Sequence, residues 1–170
     1  NSTVIDLTTS DGQMMVFDNL SHSAITLIDA RANLLTPTLQ TLIDIGFLKM
    51  VQEGKIQIAV LHVLGGSIAS LNEIETVSKM MEGAQHILVK NHINDTAFFE
   101  GIDAVSKGLF DKHLVLEIPK LDERTNEFVD ASNLPFLNFI EDDSKSMVLR
   151  GKVKHWLDQV FKEFDLAKLV

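Results

Sequence analysis

Ile25-Thr26-Leu27-Ile28-Asp29-Ala30 is an apolar run that ends in a single carboxylate. A short continuous apolar run is typical of a strand that is buried on both faces of a parallel sheet. A carboxylate at the carboxyl end of such a strand points into the crevice where open α/β sheets bind their ligands. The run therefore predicts a buried strand, and Asp29 is either the anchor of a ligand site or an ordinary turn residue.

Further apolar runs alternate with helical patterns along the chain. Buried strands are predicted at residues 56–63, 87–89 and 113–118, and helices at 37–51, 68–81 and 145–167. Strands that alternate with helices indicate βαβ units with right-handed crossovers. We therefore predict an α/β fold, a doubly wound, mostly parallel sheet with helices on both faces. The chain shows no linker or internal repeat, so we expect residues 1–170 to form a single domain.

The first residues and the first helix have weaker signals. Residues 3–7 predict a short strand, followed by a turn, and residues 14–17 predict a second short strand or the start of a connection. Thr36 suits the N-cap of the next helix, with Pro37 at its first position. Gly46 weakens that helix without forbidding it, and Gly54 suits its C-terminal cap.

Composition limits the classes of function. The 170 residues are 45% hydrophobic and 23% charged, as in an ordinary globular protein. No apolar run approaches the roughly 20 residues that span a bilayer, and no secretory signal is visible. The absence of cysteine excludes disulfides, thiolate metal sites and cysteine nucleophiles and is compatible with a reducing cytoplasm. The net charge of −9 disfavours non-specific contact with nucleic acid.

Two polar segments follow predicted strands. Gly65-Gly66-Ser67 precedes a helix and either binds an anion through backbone N–H groups or forms a tight turn in which Ser67 is the N-cap. Residues 90–95 end another strand, where the amide of Asn91 suits the edge of a purine base. The alternative for residues 90–95 is a solvated loop.

Histidines and basic residues give no strong motif. The six histidines show no H-E-x-x-H or other metal-ligand spacing, so scattered structural or surface roles are expected. The basic cluster consists of Arg150, Lys152 and Lys154 on a predicted helix. It either contacts phosphate or forms a solvated helix face.

The predicted strand ends together resemble the ParA/MinD group of deviant Walker ATPases, over roughly residues 20 to 165. Leu27-Ile28-Asp29-Ala30 is similar to the Walker B strand, and Val89-Lys90-Asn91 to the later strand that ends in the adenine-contacting Asn. Ile118-Pro119-Lys120 resembles the Ile-Pro motif that lines the base. The segments at residues 62–67 and 116–124 resemble TraL-like proteins of conjugative plasmids in particular.

This resemblance implies a P-loop NTPase-like, Rossmann-like three-layer sandwich that binds ATP and Mg²⁺. It assigns Asp29 to catalysis and to Mg²⁺, held directly or through water, and Asn91, Pro119 and Lys120 to cofactor binding. It also implies a homodimer, a cytoplasmic protein partner and a role in plasmid or chromosome partition or conjugal DNA transfer. Direct DNA contact stays open.

The sequence departs from this family at its most specific motif. No G-x-x-x-x-G-K-[ST] phosphate loop occurs in the 170 residues. The loop lysine and its backbone cradle stabilise the transferred phosphate, so this chain is not expected to hydrolyse ATP well. We expect either the C-terminal part of such an ATPase domain, with the loop encoded upstream of Asn1, or a degenerate relative. The alternatives are a non-catalytic interaction module and an unrelated doubly wound enzyme that uses Gly65-Gly66-Ser67.

Overall fold

A computed structural model describes residues 4–30, 35–64, 69–93, 99 and 108–168. The chain divides into two compact units. The first unit consists of residues 1–58 and 72–85, and the second unit consists of residues 59–71 and 86–170. The single domain over residues 1–170 stays a prediction.

The described residues form a mixed α/β structure. The strands are β1 (Ala59–Leu64), β2 (Gln85–Asn91) and β3 (Leu114–Ile118). The helices are α1 (Ser10–His22), α2 (Leu35–Asp44), α3 (Phe47–Gln52), α4 (Ala69–Met80), α5 (Glu123–Ser132), α6 (Phe136–Glu141) and α7 (Met147–Ala167). The strands form an all-parallel sheet in the order β1-β2-β3. The α/β prediction and its three C-terminal strands are therefore confirmed, with bounds that differ by a few residues.

Helix α7 covers one face of this sheet. Alternate residues of a strand point to the same face, and Ile87, Val89 and Leu116 form a buried cluster with Ala167 of α7. The carboxylate of Glu163 accepts a hydrogen bond from the backbone N–H of Glu117 at 3.0 Å. This hydrogen bond gives a partner to a backbone N–H of β3. Such groups often lack a strand partner on an edge strand, and β3 is an edge strand of the described sheet.

A second cluster joins the three C-terminal helices. Val129 of α5, Phe139 of α6 and Val153 of α7 are buried together. Helices α6 and α7 contact each other, and α7 also contacts β3. Apolar spacing predicts a helix over 145–167, and the observed 21-residue helix α7 links the sheet to the short helices α5 and α6.

Two glycines set the ends of α3 in the first unit. Gly46 has φ of 94° and separates α2 from α3, so the single helix predicted over 37–51 is wrong at this position. Gly54 has φ of 68°, and its N–H and that of Lys55 bond back to Val51 and Met50 at 2.9 Å each. This is the double C-terminal bond that an αL residue permits, so the predicted cap is confirmed.

Thr36 is not the N-cap of its helix. Helix α2 already includes Leu35, so Thr36 and Pro37 both lie in its first turn. Proline is tolerated there because the first helical N–H groups have no intrahelical partner. The hydroxyl of Thr36 donates instead to the carboxylate of Glu73 at 3.2 Å.

The strands predicted before residue 18 are also wrong. Residues 4–6 have no regular structure, and residues 14–17 lie inside α1. The side chain of Thr9 caps this helix by accepting from the N–H of Gly12 at 3.1 Å. A Cβ at Gly12 would overlap the carbonyl of Asp6, so glycine allows this close approach of the preceding turn.

The strand predicted at residues 25–29 is wrong as well. Residues 25–30 have no regular secondary structure, and Leu27 is 85% exposed. A strand buried on both faces needs neighbouring strands for its backbone N–H and C=O groups, and the sheet of described residues does not include this segment. Hydrophobicity alone does not supply those neighbours.

Among the described residues, no helix combines the length and the apolar character that crossing a bilayer requires.

Candidate functional site

The carboxyl ends of β2 and β3 lie level with each other. Asn91 pairs with Ile118 in the parallel register, and the N–H of His92 donates to the carbonyl of Ile118 at 3.0 Å. The residues that follow both strands therefore emerge at the same edge of the sheet. This edge is where open α/β sheets bind ligands.

A cavity of about 460 Å³ opens at this edge, entirely within the second unit. It is lined by Asn91, Ile93, Ile118, Pro119, Lys120, Leu121, Glu123, Asn126, Phe136 and Trp156. Its volume falls within the roughly 300–1,000 Å³ of small-molecule sites. The structure thus brings together Asn91, Pro119 and Lys120, three of the residues predicted from sequence. We call this cavity the strand-end pocket.

The walls of the strand-end pocket are largely apolar and partly aromatic. The rings of Phe136 and Trp156 lie 4.9 Å apart between centroids, tilted by 44°. The indole N–H of Trp156 donates to the backbone carbonyl of Pro119 at 2.6 Å. Ile118 and Pro119 add aliphatic surface beside the rings. Flat apolar walls of this kind suit a planar ligand.

The polar side chains of the pocket differ in whether they already have a partner within the protein. Lys120 pairs with Glu123 at 3.0 Å, and the amide of Asn126 donates to Asp130 at 3.2 Å. Within the described part of the chain, the side chain of Asn91 has no hydrogen-bond partner. Its amide offers both a donor and an acceptor. Asn91 is therefore the polar side chain best placed to recognise a ligand.

Helix α5 is fixed beside the pocket by its N-cap. The carboxylate of Asp122 accepts from the N–H of Thr125 at 3.1 Å and from its hydroxyl at 2.7 Å. These hydrogen bonds, chiefly the one from the Thr125 hydroxyl, lower the pKa of Asp122. Lys152 of α7 lies 3.2 Å from the same carboxylate. The cap therefore joins the start of α5, which carries Glu123 and Asn126, to α7.

Asp29 belongs to the first unit and is exposed. It does not end a strand, because residues 25–30 have no regular structure. Among the described residues, no group of three or more histidine or carboxylate side chains is arranged to hold a metal. The magnesium role of Asp29 stays a prediction. Gly65-Gly66-Ser67, Asn94 and Asp95 lie outside the described residues.

Three histidines are not scattered, contrary to the sequence expectation. His62 Nε2 and His86 Nδ1 are 3.1 Å apart with stacked rings, and the ring of His113 lies 6.1 Å from that of His86. Burial, aided by the charges of His86 and His113, lowers the pKa of His62 to about 4. Burial also lowers the pKa of His113. The pairing of β2 with β3 explains why two of these histidines are neighbours. His86 and His113 directly precede Ile87 and Leu114, which are paired with each other.

The basic cluster of α7 is engaged in ion pairs. Lys152 and Lys154 lie 3.2 Å and 2.6 Å from Asp122 and Asp158, and Arg150 pairs with Asp143. This pairing favours the solvated helix face over a phosphate site. At the end of β2, Lys90 lies 3.6 Å from Glu117, so that cation also has a carboxylate partner.

Sequence reasoning missed two aromatic walls of the pocket. Phe136 and Trp156 lie 18 and 38 residues after Ile118, and no spacing rule connects a strand end with helices that follow at such distances. A sequence signal exists only for Trp156. It is the single tryptophan of the chain, and it lies three residues after buried Val153 on α7.

The chain matches no protein-family profile, and no curated protein and no solved structure matches it significantly. The likeness to the ParA/MinD group therefore rests on the residues quoted above.

Proposed function

We propose that the strand-end pocket binds the base of an adenine nucleotide, in a ParA/MinD-like ATPase or a degenerate relative of one. The observation that carries the proposal is the meeting of Asn91, Pro119 and Lys120 in one pocket with aromatic walls. These residues come from two different strand ends. Their common pocket supports a nucleotide site more strongly than the separate motifs do.

The chemistry of the pocket suits a purine. An adenine base has two apolar faces and an edge with adjacent donor and acceptor atoms, which an Asn amide can pair with. Ile118, Pro119 and Trp156 offer the surface for the faces, and Asn91 offers the polar group for the edge. Lys120 already pairs with Glu123, so we assign the pocket to the base rather than to the phosphates.

The proposal extends to features that only the resemblance supplies. Asp29 would hold Mg²⁺, directly or through water. The fold would be a P-loop NTPase-like three-layer sandwich, and the protein a cytoplasmic homodimer with a partner in plasmid partition, chromosome partition or conjugal transfer. Because the sequence has no phosphate loop, we expect binding by this chain without efficient hydrolysis.

A non-catalytic interaction module is the second candidate. The observation that favours it is the exposed apolar surface at residues 25–28, where Ile25 is 68% and Leu27 is 85% exposed. A cluster of exposed apolar side chains is a feature of surfaces that bind another protein. This candidate predicts that no nucleotide binds.

Calorimetric titration of the protein with AMP, ADP and ATP, with and without Mg²⁺, separates the two candidates. The nucleotide site predicts binding of all three compounds, and it predicts that Asn91→Ala weakens AMP roughly 5- to 100-fold. Asn138→Ala is the matched control, since Asn138 is an exposed asparagine of α6 outside the pocket. Asp29→Asn should alter the Mg²⁺ dependence of ATP binding and leave AMP unchanged. Absence of heat with every nucleotide would refute the nucleotide site and support the module.

A further inference from the structure

The segment that follows β3 forms one wall of the strand-end pocket, and a residue outside the sheet holds this segment in place. Ile118 is the last residue of β3, and Pro119 and Lys120 have no regular secondary structure. Strand pairing therefore stops at Ile118. The backbone carbonyl of Pro119 instead accepts the indole N–H of Trp156 at 2.6 Å. One hydrogen bond from α7 thus fixes the course of the chain where it borders the pocket.

The position of Trp156 on α7 is fixed by packing against α6. Its ring lies against that of Phe136, with 4.9 Å between centroids. Val153, one turn earlier on α7, is fully buried in a cluster with Val129 and Phe139. Rotation of α7 that moved the indole would disturb this cluster. The position of the Pro119 carbonyl therefore depends on the core that joins the C-terminal helices.

The indole has only one hydrogen-bond donor, and Pro119 occupies it. Trp156 can offer a ligand its ring surface but no hydrogen bond. Polar recognition of the ligand edge is then left to groups such as Asn91. Selectivity among bases depends on how Asn91 lies relative to Pro119 and Lys120, which follow its register partner Ile118.

We infer that Trp156 is a positioning residue for the nucleobase: its N–H holds the Pro119 wall in the position that, together with Asn91, selects adenine. This inference rests on the proposed nucleotide function. It assigns no chemical step to Trp156. It predicts that loss of the indole N–H reduces selectivity for adenine over guanine, even where an aromatic ring remains.

The chain offers a direct probe, because it contains one tryptophan and no tyrosine. Intrinsic tryptophan fluorescence therefore reports on Trp156 alone. In the unmodified protein, AMP should change this fluorescence with saturation at the dissociation constant that calorimetry gives. A base that binds elsewhere in the chain would produce heat without this change.

The variant that tests positioning is Trp156→Phe, which keeps an aromatic ring and removes the donor. We expect AMP affinity to fall roughly 3- to 10-fold, GMP affinity to change less, and the ratio of the two to approach one. Phe161→Leu is the control, since Phe161 is 51% exposed on the same helix. It should change neither affinity. A thermal melt of each variant checks the fold, because a merely structural role would lower the melting temperature and weaken AMP and GMP equally.

The outcomes separate the inference from the function on which it rests. AMP binding that leaves the fluorescence unchanged, or a Trp156→Phe protein with unaltered selectivity, would overturn the inference and leave the nucleotide site standing. Absence of heat with AMP, ADP and ATP would overturn the nucleotide site and the inference together. Saturating fluorescence together with reduced selectivity in Trp156→Phe would support both.

Discussion

Two apolar runs that look alike in the sequence have opposite surroundings in the structure. The run at 87–89 lies within β2, where Leu88 is 0% exposed. The run at 25–28 has no regular structure, and Leu27 is 85% exposed. Apart from Thr26, both runs consist of large aliphatic residues, and each is followed by a charged residue, Lys90 or Asp29. Hydrophobicity therefore does not distinguish them.

The two runs differ in whether other strands lie beside them. Strand β2 runs between β1 and β3, so its backbone groups have partners on both sides. Within the described residues no strand pairs with the segment at 25–28. A buried strand is a property of a set of strands rather than of one segment. An apolar run therefore predicts a strand only where the chain also supplies the adjacent strands.

Matched truncations test this contrast most strongly. Leu88→Ala should lower the free energy of unfolding by about 2–5 kcal/mol, because it removes a fully buried side chain and leaves a cavity. Leu27→Ala should change it by less than about 0.5 kcal/mol, since an exposed side chain loses little contact with protein. Urea denaturation followed by circular dichroism measures both. A large loss in Leu27→Ala would show that residues 25–28 are buried in solution, as residues 87–89 are.

The same contrast explains which parts of the fold could be predicted. The three C-terminal strands, α4 and α7 follow from apolar runs and helical spacing, and Gly54 and Gly83 end their helices with φ of 68° and 95°. The N-terminal prediction failed because polar side chains decide the local structure there. Thr9 caps a helix over residues that, taken alone, suit a short strand equally well.

A pH titration tests a consequence of burial in the sheet. The fold lowers the pKa of His62 from its usual 6.5 to about 4, so between about pH 4 and pH 6.5 His62 is neutral when folded and takes up a proton on unfolding. Its contribution to stability is complete above pH 6.5 and is lost as the pH falls from 6.5 to about 4. The loss amounts to at most about 3 kcal/mol. The groups facing His62 in the second unit are His86 and His113, with Lys112 next to His113.

The variant His62→Gln should flatten this pH dependence, measured as the free energy of unfolding in urea from pH 7 to pH 4. His22→Gln is the control, because His22 is exposed on α1. It should keep the slope of the unmodified protein. Equal slopes in all three proteins would show that His62 is not buried as neutral imidazole.

Of the residues in the candidate site, only those at or directly after the end of a strand could be predicted from the sequence. Asn91, Pro119 and Lys120 follow β2 and β3, and the aligned ends of parallel strands bring them together. Phe136 and Trp156 come from helices whose place depends on tertiary packing, which no local pattern encodes. The same strand-end rule predicts a role for Asp29, but residues 25–30 do not form a strand, so the rule does not apply there.

Helix caps are local interactions and should act alike in both units. Thr9 caps α1 in the first unit and Asp122 caps α5 in the second, each by accepting a backbone N–H at 3.1 Å. Thr9→Ala should lower the free energy of unfolding by about 1 kcal/mol. Asp122→Ala should also destabilise the protein, which a lower urea midpoint would show. Ser146→Ala is the control, since Ser146 occupies the N-cap of α7 without a side-chain cap bond. If Thr9→Ala has no effect while Asp122→Ala does, the two units differ in their local structure as well as in their strand neighbours.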